Sequence, residues 1–148
     1  MKIYFICTGN TCRSPMAEAI LRSQKLEGIH VRSAGIYATD GEPISDNAKT
    51  LIEESDMPYT SVSRSVTAEE LSWADLILTM TESHKRTLLH AFPEAAGKTY
   101  TLKEFSLPNE EGDVHDPYGG DLSTYRHTFK ELQTLIDLLK KKLMEDGT

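Results

Sequence analysis

An apolar run, Ile3-Tyr4-Phe5-Ile6, ends on Cys7 and gives way to Thr8-Gly9-Asn10-Thr11-Cys12-Arg13-Ser14 before a helix-like stretch opens at Pro15. That order restricts the chain more than any other feature. A short run apolar at consecutive positions reads as a strand buried on both faces, and such strands belong to parallel sheets covered by helices on each side. A loop at the carboxyl end of that strand then occupies the place where open α/β sheets bind their ligands.

The loop's composition suits an anion. Its backbone N–H groups can turn inward as a concave nest, and the following helix presents its positive end there. Gly9 is expected to let the backbone bend where a Cβ would clash. Arg13 offers a planar fork for two oxygens of a phosphate. The same field favours the thiolate form of Cys7, and Ser14 can donate a hydrogen bond to its sulfur. On its own, Cys7 reads equally as a buried strand residue, and Ser14 as an ordinary cap before Pro15 at the first helical position. The full set at one strand-to-helix junction favours a nucleophile inside a phosphate cradle.

The remaining elements follow in order. Lys2 to Cys7 and Ile29 to Ser33 read as strands flanking a helix from Pro15 to about Gln24, with Ala17, Ile20 and Leu21 turned inward. Ser45 is the expected cap of a helix reaching Glu54, and Thr67-Ala68-Glu69-Glu70 has the spacing of a capping box. Leu76-Ile77-Leu78 marks a third strand, Glu82 to His90 a helix ended by Pro93, and Thr99 to Leu102 a fourth strand. Lys103 to Asp121, with Pro108, Gly112, Pro117, Gly119 and Gly120, reads as one long loop, and such loops are more often functional than idle. From Leu122 onward Tyr125, Phe129, Leu132, Ile136, Leu139 and Leu143 give an apolar helical stripe, expected as core. The reading is α/β: a four-stranded parallel sheet with helices on both faces, in a single domain spanning residues 1–148.

Cys7-Thr8-Gly9-Asn10-Thr11-Cys12-Arg13-Ser14-Pro15 resembles the signature loop of the low-molecular-weight protein tyrosine phosphatases, a flavodoxin-like three-layer sandwich. Length, element order and a late Asp-Pro motif agree with the resemblance over the whole chain. It implies a double displacement through a phosphocysteine, with Cys7 as nucleophile and Arg13 holding phosphate oxygens. Thr8, Gly9, Asn10, Thr11, Cys12 and Ser14 then form the substrate cradle. Asp116-Pro117-Tyr118 stands where the family carries its general acid; an Asp-Pro pair is also a common turn. Asp116 would protonate the leaving group and then activate water, and Tyr118 would form a wall for the substrate.

Two departures bear on the leaving group. Thr11 stands where tyrosine-specific members usually carry isoleucine, and Gly119-Gly120 replace a second aromatic after Tyr118. In this the chain looks like the bacterial protein-arginine phosphatase branch, which implies phosphoarginine in proteins as substrate and phosphotyrosine as the alternative. Cys12 reads either as a redox partner for Cys7 or as a small apolar filler.

Composition narrows the rest. A net charge of −7 without a basic stripe argues against nucleic acid. Two cysteines five apart make neither a disulfide framework nor, with five scattered histidines, a metal site. No cofactor or metal is expected, since the cradle supplies the positive charge. The N-terminal apolar run is too short for a signal peptide or membrane span, so a cytoplasmic monomer that avoids membranes is expected. Two rivals of other classes are a phosphate-binding or redox-sensing module without turnover, and a thioredoxin-coupled arsenate reductase. The latter needs more cysteines than this chain has.

Overall fold

The computed structural model describes residues 1–108 and 112–146. Four parallel strands, β1 (Lys2–Cys7), β2 (His30–Gly35), β3 (Leu76–Thr79) and β4 (Thr99–Thr101), form one sheet in the order β2-β1-β3-β4. Around them lie α1 (Arg13–Ser23), α2 (Asp46–Glu54), α3 (Ala68–Trp73), α4 (Glu82–Ala91), α5 (Leu102–Ser106) and α6 (Leu122–Asp146). Strand alternation divides the core in two. Ile3, Phe5 and Cys7 pack on one face with α1, α2 and α6 residues such as Ile20, Leu51 and Phe129, whereas Tyr4 and Ile6 pack on the other with Leu71 and Leu88. Every residue from Ile3 to Cys7 is buried, which is why the run shows no polar alternation. Full burial of a side chain such as Phe5 contributes about 1.5–3 kcal/mol.

The strand order carries the functional geometry. The chain leaves β1 toward β2 on one side, while β3 lies on the other, so the carboxyl ends of β1 and β3 flank the sheet's switch point. The loop after β1 and the segment reached from the end of β3 meet there.

Most predicted elements are present, with differences at their edges. Ser45 caps α2 by accepting from Ala48 N, and Thr67 caps α3 by accepting from Glu70 N. The other half of the expected box at Thr67 is diverted, because Glu70 turns its carboxylate toward Arg32 at 3.4 Å. α1 begins at Arg13 instead of Pro15, so Ser14 is inside the helix and not its cap. Pro15, third in the helix, is tolerated because first-turn N–H groups have no intrahelical partner to lose. The stretch read as a loop from Lys103 opens instead with α5, nucleated by a full capping box between Thr101 and Glu104. Pro93 does end α4, but the chain continues as a 3₁₀ turn over Pro93–Lys98. Residues 109–111 of the predicted loop lie outside the described residues.

Candidate active site

The Asn10 side chain braces the nucleophile loop against α1, β2 and the segment around Arg64. Asn10 has φ +55°, a left-handed conformation that asparagine tolerates better than most residues. Its Oδ1 accepts the Arg64 N–H at 2.8 Å. A backbone amide can only donate, so this contact fixes which end of the Asn10 amide carries the nitrogen. Nδ2 therefore donates twice, to Ser14 Oγ at 2.7 Å and to Ser33 Oγ at 2.9 Å. Ser33 donates to Glu18 Oε1 at 2.6 Å, and Ser14 Oγ shares a 2.8 Å hydrogen bond with Cys7 Sγ, donating to it when the sulfur is a thiolate. The Asn10 N–H adds a second donor to the same sulfur at 3.3 Å. Cys7 is 2% exposed, and its sulfur lies within reach of both groups.

Glu18 anchors the far end of this chain. It is 5% exposed, and its carboxylate also accepts from Thr60 Oγ1 at 2.9 Å and Arg22 Nη1 at 3.4 Å. Neither Glu18 nor Thr60 stands out in the sequence, since each looks like a routine residue of its own segment.

Glycine matters beside this loop at a position other than the one the sequence suggests. A Cβ on Gly9 would meet only Thr11 Oγ1, at an ordinary 3.7 Å, so the expectation of a clash there is wrong. The left-handed turn falls one residue later, on Asn10. Gly35 at the end of β2 is the tight place: a Cβ there would lie 2.6 Å from the Thr8 carbonyl and 2.8 Å from the Asn10 nitrogen.

Arg13 occupies the first turn of α1, and no side chain caps that helix, which leaves its first N–H groups open to an anion. The guanidinium is buried. Nη1 donates to the Val114 carbonyl at 3.0 Å, Nη2 stands 3.7 Å from Asp116 Oδ2, and Nε has no acceptor among the described residues. Val114 N in turn donates to Met80 O at the end of β3, so the acid-bearing segment hangs from the sheet and from Arg13 together. The Asp116 side chain is 56% exposed, and its Oδ1 accepts the Tyr118 N–H at 3.0 Å. Tyr118 projects 82% exposed. Tyr37, which the sequence offers only as part of a polar loop, is 73% exposed and tethered to the nucleophile loop through its N–H to Thr8 O.

The two glycines after Tyr118 have reasons of their own. Gly119 adopts φ +81°, and a Cβ on Gly120 would fall 2.7 Å from the Thr124 side chain. The turn they form delivers Asp121, whose Oδ1 accepts Thr124 N and caps α6.

His84 is the main residue the sequence does not flag. From α4 its Nε2 shares a 2.7 Å hydrogen bond with Thr8 Oγ1 on the nucleophile loop. Burial first, then the Arg13 charge, pulls the imidazole down to about 4, and its Nδ1 is buried without a partner among the described residues. Cys12 also lies against the site, as a buried thiol. Burial, then the neighbouring Cys7 sulfur, pushes it up to about 12. Thr11 is half-buried, and its carbonyl accepts from Ser45 N at 2.8 Å, tying the loop to the start of α2.

The family described as low molecular weight phosphotyrosine protein phosphatase matches residues 2–148. A protein-arginine-phosphatase from Geobacillus stearothermophilus is 43% identical over 145 residues, 98% of this chain and 97% of the relative. A low molecular weight protein-tyrosine-phosphatase from Staphylococcus aureus is 42% identical over 140 residues, 95% of this chain and 97% of its own. Among solved structures, an arginine phosphatase mutant with a phosphorylated active-site serine superimposes with a TM-score of 0.93 at 40% identity, covering 99% of this chain and 97% of that one.

Proposed function

The chain belongs to the low molecular weight phosphotyrosine protein phosphatase family, and we propose that within it the protein is a single-domain hydrolase of phosphoarginine in proteins. The observation that carries the chemistry is the sulfur of Cys7, buried within hydrogen-bond distance of Ser14 Oγ and Asn10 N, beside an Arg13 whose Nε–H has no acceptor among the described residues. Cys7 attacks phosphorus in line. Arg13 and the amides from Thr8 to Ser14 hold the equatorial oxygens. As the phosphorus–nitrogen bond breaks, Asp116 gives its proton to the departing guanidinium nitrogen. The resulting carboxylate then takes a proton from water, whose oxygen releases phosphate from the cysteine. The charge of the cradle does the work a metal does elsewhere.

The leaving group is a finer question, because relatives named for arginine and for tyrosine match at 43% and 42%. Thr11 supports arginine: a short polar side chain on the loop leaves room for a narrow, hydrogen-bonding guanidinium. The opening beside Gly119 and Gly120 supports it too, although the α6 turn already requires those glycines. Phosphotyrosine is the alternative that the Staphylococcus relative favours. The test compares kcat/KM on phosphoarginine and phosphotyrosine peptides in wild type and Thr11→Ile. We expect arginine preference in wild type and a shift toward tyrosine of roughly tenfold or more in the variant. An unchanged ratio removes Thr11 from specificity, and binding without turnover of either peptide supports a non-catalytic phosphate-binding module instead.

Redox control is part of the same reading. Peroxide converts Cys7 to a sulfenic acid; the Cys12 sulfur then displaces water from it and forms a disulfide. The raised titration of Cys12 makes this slow at neutral pH. Mass spectrometry after mild peroxide reads the crosslink, and a Cys7 sulfinate without it refutes the idea. We assign the enzyme to the cytoplasm as a monomer acting on arginine-phosphorylated proteins, with no nucleic acid or membrane partner. Among the described residues no helix is long and apolar enough to cross a membrane.

A further inference from the structure

On the outer side of β2, away from the nucleophile, lies a groove of about 650 Å³. We propose that it docks an acidic, extended segment of a partner protein, added to the sheet as a fifth strand. Strand order leaves β2 at the edge. His30 N donates to Met1 O on the β1 side, so strand alternation turns the N–H and C=O of Val31 and Ser33 outward. Among the described residues no backbone group pairs with them. At Gly35, the next outward position, the chain already shows what the rim accepts. Gly35 N donates to Arg64 O and Gly35 O accepts Val66 N, a parallel bridge made by an extended segment. That segment leaves the rim there, and the two outward residues before it stay bare.

The walls specify charge. One is the end of α1, with Leu21, Arg22 and Lys25; the other is Trp73, with Arg32 over its ring at 4.2 Å. Lys2, Arg22, Lys25, Arg32 and Arg64, five of sixteen Lys and Arg residues, line the groove with one of twenty-three acidic residues. That one, Glu18, is committed to Ser33, Thr60 and Arg22. Among the described residues no carboxylate stands within ion-pair distance of Lys2, Lys25 or Arg64. Proteins also place charge on edges to keep strands away. On a molecule of net charge −7 a cationic edge does the reverse for an acidic segment, and strand addition is an established mode of peptide capture.

The test uses the full-length protein and a fluorescent heptapeptide of alternating Glu and Val, read by polarisation and by amide exchange at Val31 and Ser33. Saturable, salt-sensitive binding is expected, with slowed exchange at both amides. A peptide with proline at every second position and one with Lys for Glu should fail. Lys25→Glu with Lys2→Glu should weaken binding roughly tenfold while turnover of para-nitrophenyl phosphate stays unchanged. Equal binding of the proline peptide, indifference to the two reversals, or unaltered exchange would overturn the proposal. So would preference for anionic vesicles or an oligonucleotide over the peptide, or occupation of the groove by a second copy of the chain, seen by sedimentation.

Discussion

The two loops that meet at the switch point are built on opposite terms. In residues 7–14 Cys7, Asn10, Cys12, Arg13 and Ser14 are buried, and the Asn10 side chain ties the loop to α1, β2 and the Arg64 segment through three hydrogen bonds, with its N–H on Cys7 Sγ as a fourth. The Asp116 segment is tethered through Val114 at its base, yet its acid is more than half exposed and Tyr118 almost fully so. In the mechanism proposed above, the group that holds the transition state is fixed in advance, and the group that meets a variable leaving group, and later a water, is left accessible.

Mutation can break that contrast at its strongest point. Cys7→Ser should abolish turnover while phosphate still binds, so burst kinetics with residual activity near wild type would remove the nucleophile from this loop. Asp116→Asn should lower kcat roughly 10²–10⁴-fold and leave the fold intact, because an exposed side chain contributes little to stability. Losing stability as well would mean that the acid segment is less independent than its exposure implies. Asn10→Ala, by contrast, should cost about 2–4 kcal/mol through unpaired buried groups and left-handed strain. The check is a shifted urea midpoint at constant slope, together with reduced kcat. The smallest effect belongs to His84. Its folded value of about 4 lies below the ordinary 6.5, so its stabilising contribution is complete above 6.5 and is lost as pH falls toward 4. His84→Gln should remove that component, and melting temperatures of the two proteins should converge across this window. Parallel curves would mean that His84 does not titrate with folding.

What the sequence disclosed follows the same division. Strands and most helices were legible because burial on two faces and capping residues write themselves into short windows. Cys7 and Arg13 were also within reach, since loop and strand are fixed by a local pattern. Glu18, Thr60 and His84 were not. Each belongs to a segment whose own periodicity explains it, and only the fold brings it against the loop. The error over Gly9 has the same origin: close approach is a property of two segments, and the sequence shows one at a time. The α5 box at Thr101 and Glu104 was visible but was overshadowed by the glycines and prolines that follow.

Asn10 has a consequence beyond rigidity. An amide is asymmetric: once Oδ1 is committed to Arg64, Nδ2 must donate to both hydroxyls beside it, and Ser33 is left to donate to Glu18. With Cys7 as a thiolate, the line from Cys7 through Ser14, Asn10 and Ser33 to Glu18 works as a valve: protons face outward from the amide on both sides, toward sulfur at one end and a carboxylate at the other. A proton cannot run along it from Ser14 to Glu18. In the mechanism proposed above, the charge of a Cys7 thiolate is thereby insulated from the buried Glu18 that supports it, and the proton cycle is confined to the open side of the pocket, where Asp116 stands.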